Sequence, residues 1–505
     1  MLSNRFRKVW ALLFIAELFS FLPTLFEPVM HVDEGSFAML SRHAFDGKLY
    51  RTVTDLKPPL LFQMYWLMTG GAHSLWLFHI VQIVWLFLGA IIFFKILSEV
   101  IDENAALFGS LIFALLSGRI EYGSGMPERL LLPFILLSIY LAIRVLKSKG
   151  RSYQYYGTFA VGFLVGAASV VKQPGGLLGI AAFGVLFLSK KRFLFLIIGI
   201  AGILSATFLV FGATQVPFET IWKEAYLVNF KYYMKAPVDA GRQSFEILKN
   251  LSAIYFLEYL GVFVGSLCAG IVLFRKALRS KFRFPRRSPF SLALLINSVL
   301  FVFALYAISL GGKWATNYQI FALIPLVGFT AFGIYKIKSK SYAHFLIGLC
   351  IFSNLIFHGI VFFQIKTDHF KNWDSKIQSV YKDILADTKP SDKIWVSHSI
   401  PSLYFMSRRE PAVKYFFFMH NLKYADICVV PESQISSLRA NAHYYETLLE
   451  LRLRKPKVIF WVQRHLNGCT DKLKLSYFPE IQSLLSKFYV EKFKNSLGIY
   501  FLRKS

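Results

Sequence analysis

Apolar runs of about twenty residues recur along this chain, and their recurrence limits the fold more than any other feature. A run of that length with almost no charge crosses a bilayer as a helix, because in lipid a chain must satisfy its own backbone hydrogen bonds. The first run extends from Val9 to about Phe26. Continued along the chain, the pattern predicts a polytopic α-helical membrane protein of about eleven spans at the usual length of about 20 residues. They fall near 9–27, 74–97, 105–118, 130–147, 154–171, 175–189, 193–213, 255–274, 290–310, 318–335 and 343–363. Composition agrees, since 55% of the 505 residues are hydrophobic and only 17% are charged, well outside the soluble norm. The stretch 60–73 is too short and broken to span and reads as a segment lying along the interface.

Charge sets the orientation. The formal net charge of +28 resides mostly in short basic blocks between apolar runs: Arg144 to Arg151, Lys190 to Arg192, Arg275 to Arg287 and Lys336 to Lys340. Alternating spans put all of these on the side of the basic N-terminus, with Arg5, Arg7 and Lys8, which is the positive-inside pattern and not a nucleic-acid footprint. The acidic connection at Glu99, Asp102 and Glu103 is the exception, and acids weigh little in that rule. No small-residue cleavage site follows the first run, so it reads as an uncleaved span of a multi-pass plasma (inner) membrane protein with a cytoplasmic N-terminus.

Beyond residue 365 the hydropathy falls for good. Short β-rich runs at Lys393–Ser397, Asp426–Val430, Lys457–Val462 and Gly498–Leu502 alternate with helix-like stretches at Asp374–Thr388 and Glu432–Leu451. The expected organisation is therefore a transmembrane domain over 1–365 and a C-terminal extracytoplasmic α/β domain over 366–505. The four cysteines stand singly, without metal-ligand spacing; Cys428 and Cys469 fall where an oxidising compartment would let them pair.

Chemistry concentrates in the first outer loop, 28–59, where HVDEGSFAML is followed by TDLKPP. Acids at a membrane boundary are costly and mark function more often than packing. Asp33 and Glu34 follow the first span directly, and Asp55 and Lys57 close the loop ahead of Pro58 and Pro59. On a helix two adjacent acids point apart, so one of them, Asp33, is the better placed; capping a helix is its structural alternative. The same face receives Arg119, Glu121, Glu128 and Arg129 from GRIEYGSGMPERLLLPF, Lys172 from SVVKQPGG, and Lys313 with Tyr318 from LGGKWATNYQIF. Each of these also serves as an interfacial anchor in many membrane proteins. The connection 214–254 mixes aromatic and charged residues, as an interfacial helix and loop covering a site would.

Five stretches together resemble the clan C (GT-C) polyprenol-phosphate-sugar-dependent glycosyltransferases, the grouping of protein O-mannosyltransferases and lipid A aminoarabinose transferases. They are the Asp33-Glu34 pair, KPPL at Lys57–Leu60 preceded by Asp55, the run Met126–Arg144, the run Gly162–Gly176, and NYQIFALIPLVGFTAFG at Asn317–Gly333. The last departs from the usual pattern, with Lys313 where an Arg is common and Asn317 where a His is common. The resemblance implies inverting transfer of a sugar from a polyprenyl-phosphate donor to an envelope glycan, lipid or protein acceptor on the outer face. It implies Asp33 as general base with Glu34 beside it, and Lys57, Lys313 and Arg129 as donor-phosphate contacts. Asp55, Glu128, Lys172 and Tyr318 are further site candidates. A divalent metal is known in related aminoarabinose transferases, but His31, His43 and Asp55 form no recognised ligand spacing. Two other classes stay open: a lipid or solute transporter or flippase, which the absence of repeated halves disfavours, and a non-catalytic assembly partner, which leaves the loop acids without a purpose. The odd span count predicts that a reporter active only in an oxidising compartment is active when fused after Ser505; activity of a cytoplasm-only reporter there overturns the threading.

Overall fold

The computed structural model describes residues 4–26, 32–119, 124–230, 259–279, 289–309, 316–366, 368–397, 400–416, 442–463 and 474–504. These form two compact units, one of residues 1–27, 76–210 and 239–363, the other of 28–75, 211–238 and 364–505.

The first unit is helical. Its elements are α1 (Asn4–Ser20), α4 (Leu75–Ser98), α5 (Glu103–Ser117), α6 (Pro127–Leu130) running into α7 (Leu132–Lys147), α8 (Arg151–Val171), α9 (Pro174–Leu186) and α10 (Arg192–Ala213). Helices Leu260–Arg279, Pro289–Ser309, Ile320–Ile337 and Lys340–Lys366 complete it. Where they are described, the apolar runs of the sequence are thus helical. By length and composition six of the described helices suffice to cross a membrane: 75–98, 127–147, 151–171, 192–213, 320–337 and 340–363. The stretches 103–117, 174–186 and 294–308 are shorter apolar helices.

Helix Ile320–Ile337 is the most buried of the six and packs against α5, Leu260–Arg279 and Pro289–Ser309. Helices 192–213 and 340–363 are the least buried, and both present bare apolar side chains such as Ile197, Phe208, Phe352 and Phe363. Lipid has no hydrophobic pull of its own between helices, so close approach needs small residues. α8 and α10 supply them: a Cβ added at Gly162 would stand 1.9 Å from the Gly199 carbonyl oxygen, and one at Gly202 2.3 Å from that of Phe159.

The second unit is built on a five-stranded mixed sheet in the order β2-β1-β3-β5-β4, from β1 (Lys393–Val396), β2 (Glu410–Pro411), β3 (Val458–Val462), β4 (Tyr489–Lys494) and β5 (Gly498–Arg503). β1 is parallel to β2 and β3, and β5 is antiparallel to β3 and β4. β3 reads VIFWV and is buried throughout, as a central strand covered on both faces must be; Trp395 and Trp461 meet edge to face at 6.0 Å in its core. The run Asp426–Val430 lies outside the described residues, as do Cys428 and Cys469. To this sheet-bearing part the unit adds α2 (Val32–Leu40), α3 (Pro59–Met68) and the helix that begins at Phe218. At ten residues α3 is too short to span.

The packing at Gly162 makes Gly162→Ala costly by about 1–3 kcal/mol, the range for overfilling a tight contact. Gly184→Ala, with nothing within 4 Å of its added Cβ, is expected to be neutral or slightly stabilising. Thermal unfolding of the detergent-solubilised protein compares the two.

Candidate functional site

In the second unit, α2 starts with Asp33 and Glu34 in its first turn, where the positive end of the helix dipole favours carboxylates. The two diverge at once: Glu34 is buried and Asp33 is half-buried. One turn on, Phe37 lies under the Lys57 ammonium, 5.9 Å from ring centre to Nζ, so the face of α2 that bears Asp33 is turned to the TDLKPP segment. Within that segment Asp55 folds back on its neighbour. Its Oδ1 accepts from the Lys57 amide at 3.0 Å and stands 4.0 Å from Lys57 Nζ, while the Tyr50 hydroxyl donates to the Lys57 carbonyl at 2.5 Å. Pro58 cannot continue a helix backwards, and Pro59 opens α3. Burial raises the Asp55 carboxyl above its ordinary value; the Lys57 charge works against that shift and the Asp33 charge adds to it. Asp33, Asp55 and Lys57 are therefore one electrostatic group, two acids and one cation.

The first unit holds a second group. Lys172, between α8 and α9, is ion-paired with Glu128, and its Nζ stands 4.1 Å over the ring of Tyr318. Both charges are nearly or wholly buried. Such a pair contributes little net stability while intact, yet loss of one partner strands the other and costs about 3–5 kcal/mol. Arg129, next to Glu128, is 1% exposed. It gives Nε to the Ser117 carbonyl at 3.0 Å and Nη1 to that of Ser124, with its guanidinium over Phe21 at 5.4 Å. Arg119 donates to Ser353 at 2.7 Å and covers the Phe357 ring. Lys313, His31 and Glu121 lie outside the described residues.

Two residues given no part in the site by the sequence stand out. Glu17 lies in the middle of the first apolar run, fully buried, and accepts from the Ser117 hydroxyl at 2.5 Å. Ser117 is thereby tied to Glu17 by its side chain and to Arg129 by its carbonyl. A single acid inside an apolar run was the available signal. His43 is the other. Its Nδ1 pairs with Asp46 at 2.8 Å and its Nε2 with Glu410 of β2 at 2.9 Å, so both ring nitrogens are committed to carboxylates and neither is turned to a metal. Among the described residues no group of three or more His, Cys, Asp or Glu is gathered to hold a metal ion.

A family model for dolichyl-phosphate-mannose-protein mannosyltransferase matches residues 56–213, from the TDLKPP segment to the end of α10. A comparison with curated proteins gives no match. In three dimensions the chain is similar to ArnT from Cupriavidus metallidurans bound to undecaprenyl phosphate, with a TM-score of 0.60, 14% identity and 97% of each chain covered. It is also similar to the Archaeoglobus fulgidus oligosaccharyltransferase tethered with an acceptor peptide, at a TM-score of 0.54 and 12% identity over 98% of this chain and 74% of that one. AglB from the same organism, in complex with an inhibitory peptide and a dolichol-phosphate, gives 0.52 and 11% over 100% and 75%. These matches give the chain the fold of the clan C glycosyltransferases, the class to which its five motifs point.

The clasp at His43 carries a pH signature. Burial opposes protonation of the imidazole, but Glu410 and Asp46 outweigh it and raise the His43 pKa, while His43 lowers that of Glu410 and of Asp46 against the effect of their burial. A raised histidine stabilises fully below its unfolded value, about 6.5, and loses that contribution as pH climbs through its folded value. The lowered carboxylates stabilise above their unfolded values of about 4 and lose that contribution as pH falls. The difference in melting temperature between the parent and His43→Gln is thus expected to be largest near pH 5–6 and to shrink on both sides.

Proposed function

We propose that this protein is an integral-membrane, inverting glycosyltransferase that moves a sugar from a polyprenyl-phosphate donor to an envelope glycan, lipid or protein acceptor on the outer face of the plasma membrane. The carrying observation is the Asp33–Asp55–Lys57 group, which sets a base and a cation within one electrostatic neighbourhood of a chain whose fold is shared with such transferases. Support for a lipid-phosphate donor comes from the undecaprenyl phosphate and dolichol-phosphate named in two of the similar structures.

The residues suit a single displacement. The acceptor hydroxyl is a weak nucleophile, so the Asp33 carboxylate takes its proton as the oxygen attacks the anomeric carbon. The bond from that carbon to the phosphate oxygen breaks with its electron pair on the phosphate, and attack opposite the leaving group inverts the centre. Lys57 neutralises the departing lipid phosphate, and Asp55 orients Lys57 by gripping both its amide and its ammonium. The resemblance adds Lys313 and Arg129 as further phosphate contacts in this reading. The eleven helical runs all cross the membrane, and the sheet-bearing C-terminal part is extracytoplasmic.

The test is sugar transfer from lipid phosphate by membranes carrying equal amounts of each variant. Asp33→Asn keeps volume and hydrogen bonding but cannot accept the proton, so the rate should fall by about 10²–10⁴; Glu34→Gln should be milder. Lys57→Ala should raise the donor KM about ten- to a hundredfold, the loss of one charge-assisted contact. An Asp33→Asn enzyme within a few-fold of the parent removes the base, and an unchanged donor KM in Lys57→Ala removes the phosphate contact.

A further inference from the structure

We propose that Lys414, Glu224 and Asn229 are positioning residues that brace the Asp55–Lys57 segment, and that this bracing is a task of the C-terminal sheet-bearing part; the proposal rests on the reading of Lys57 as a donor-phosphate contact.

The brace begins behind Lys414, three residues beyond β2. Its amide donates to Glu450 Oε2 at 2.7 Å. Glu450 is paired with Arg454 at 2.8 Å, and Arg454 donates to the Ala412 carbonyl at 2.8 Å. Helix Ala442–Arg454 thus fixes the Lys414 backbone from two sides. From that fixed point two arms reach forward. The Lys414 carbonyl accepts from the Thr54 amide at 3.2 Å, and the ammonium meets Glu224 at 2.7 Å in a largely buried ion pair. The second Glu224 oxygen is 3.5 Å from the Thr54 hydroxyl. Asn229 then closes the arrangement: its Nδ2 donates to the Leu56 carbonyl at 2.6 Å and to the Ala225 carbonyl at 2.8 Å. Leu56 stands between Asp55 and Lys57, and its side chain packs on Val228. The segment is therefore held at residue 54 by Lys414 and at residue 56 by Asn229.

The local helix is shaped for this. Residues five apart in an α-helix point to different faces, and Glu224 and Asn229 are five apart. Trp222–Leu227 is a π-helix, whose i→i+5 bonding brings such residues onto one face; π turns inside helices occur frequently at functional sites. A regular α-helix here would turn either Glu224 or Asn229 away from the segment.

The experiment uses the full chain in lipid nanodiscs and has two readouts, hydrogen–deuterium exchange of the Thr54–Lys57 amides and the kinetics of transfer from the lipid-phosphate donor. Asn229→Ala removes no charge. It should speed exchange at those amides by about five- to tenfold, the equivalent of one hydrogen bond, leave β3 and β5 unchanged, and raise the donor KM more than it lowers kcat. Lys414→Met strands the buried Glu224 charge, so it is measured with Glu224→Gln in the same chain; this double variant should act as Asn229→Ala does, and Lys414→Arg should retain parental behaviour. Unchanged exchange at Thr54–Lys57 in both Asn229→Ala and the double variant overturns the brace, and so does a uniform rise across the sheet. Faster exchange with an unchanged donor KM establishes the brace and overturns the reading of Lys57 on which its functional meaning rests.

Discussion

A charge moved out of water must find its counter-charge or a full set of hydrogen-bonding partners, and the polar architecture of this chain follows from that constraint. In the helical unit the buried charged groups follow it in the main, although one carboxylate oxygen of Glu17 and one of Glu128 have no hydrogen-bond partner among the described residues. Lys172 and Glu128 are both removed from solvent, and they are paired. Arg129 places two of its donors on backbone carbonyls and its plane on a phenylalanine ring. Glu17, an acid in the middle of an apolar helix, receives the Ser117 hydroxyl. These contacts fasten α1 to α5 and α5 to the turn at Pro127–Leu130, so the groups that are costly to bury also register the helices that bury them.

In the second unit the same constraint is relaxed by partial exposure, and the polar groups acquire chemistry. Asp33 keeps contact with solvent, as the proposed base needs to. Asp55 does not, and burial together with the Asp33 charge shifts it upward in spite of Lys57. The difference between the two acids is one of environment and not of residue type, and the proposed reaction draws on it by giving proton transfer to Asp33 and the holding of the cation to Asp55.

How far the sequence reveals this depends on the range of the interaction. The helices were legible because an apolar run is a local signal, and β1, β3 and β5 were found where short β-rich runs stood. β4, with burial only at Tyr489 and every later residue exposed or half-exposed, gave no such run, since an edge strand needs little apolar sequence. Two-residue β2 is defined only by pairing with β1. In the site, Asp33, Asp55 and Lys57 were recognisable because they belong to one loop at a membrane boundary. Glu224, Asn229 and Lys414 were not, because their meaning comes from contacts across 170 or more residues, which no spacing encodes. His43 was weighed with His31 and Asp55 for a metal, and they form no recognised ligand spacing; its two carboxylate partners, one of them 367 residues away, tie it into the fold.

The composition of the Asp33 group has a further consequence for how it could receive a lipid phosphate. Two carboxylates and one ammonium sum to a net negative charge when all are ionised, so within this group the acids oppose the anion that Lys57 is proposed to bind. Asp55 offers the way out. Its carboxyl is already raised by burial and by Asp33, and an arriving phosphate adds another negative charge that raises it further. Uptake of one proton by Asp55 then leaves Lys57 facing the phosphate without a competing carboxylate. Donor binding in this reading is coupled to protonation of Asp55, so its affinity should weaken as pH rises. Asp55→Asn, neutral at every pH, removes that dependence while the amide oxygen still accepts from the Lys57 backbone. The pH profile of donor affinity thus tests Asp55 apart from Asp33, whose proposed part is in the rate of transfer.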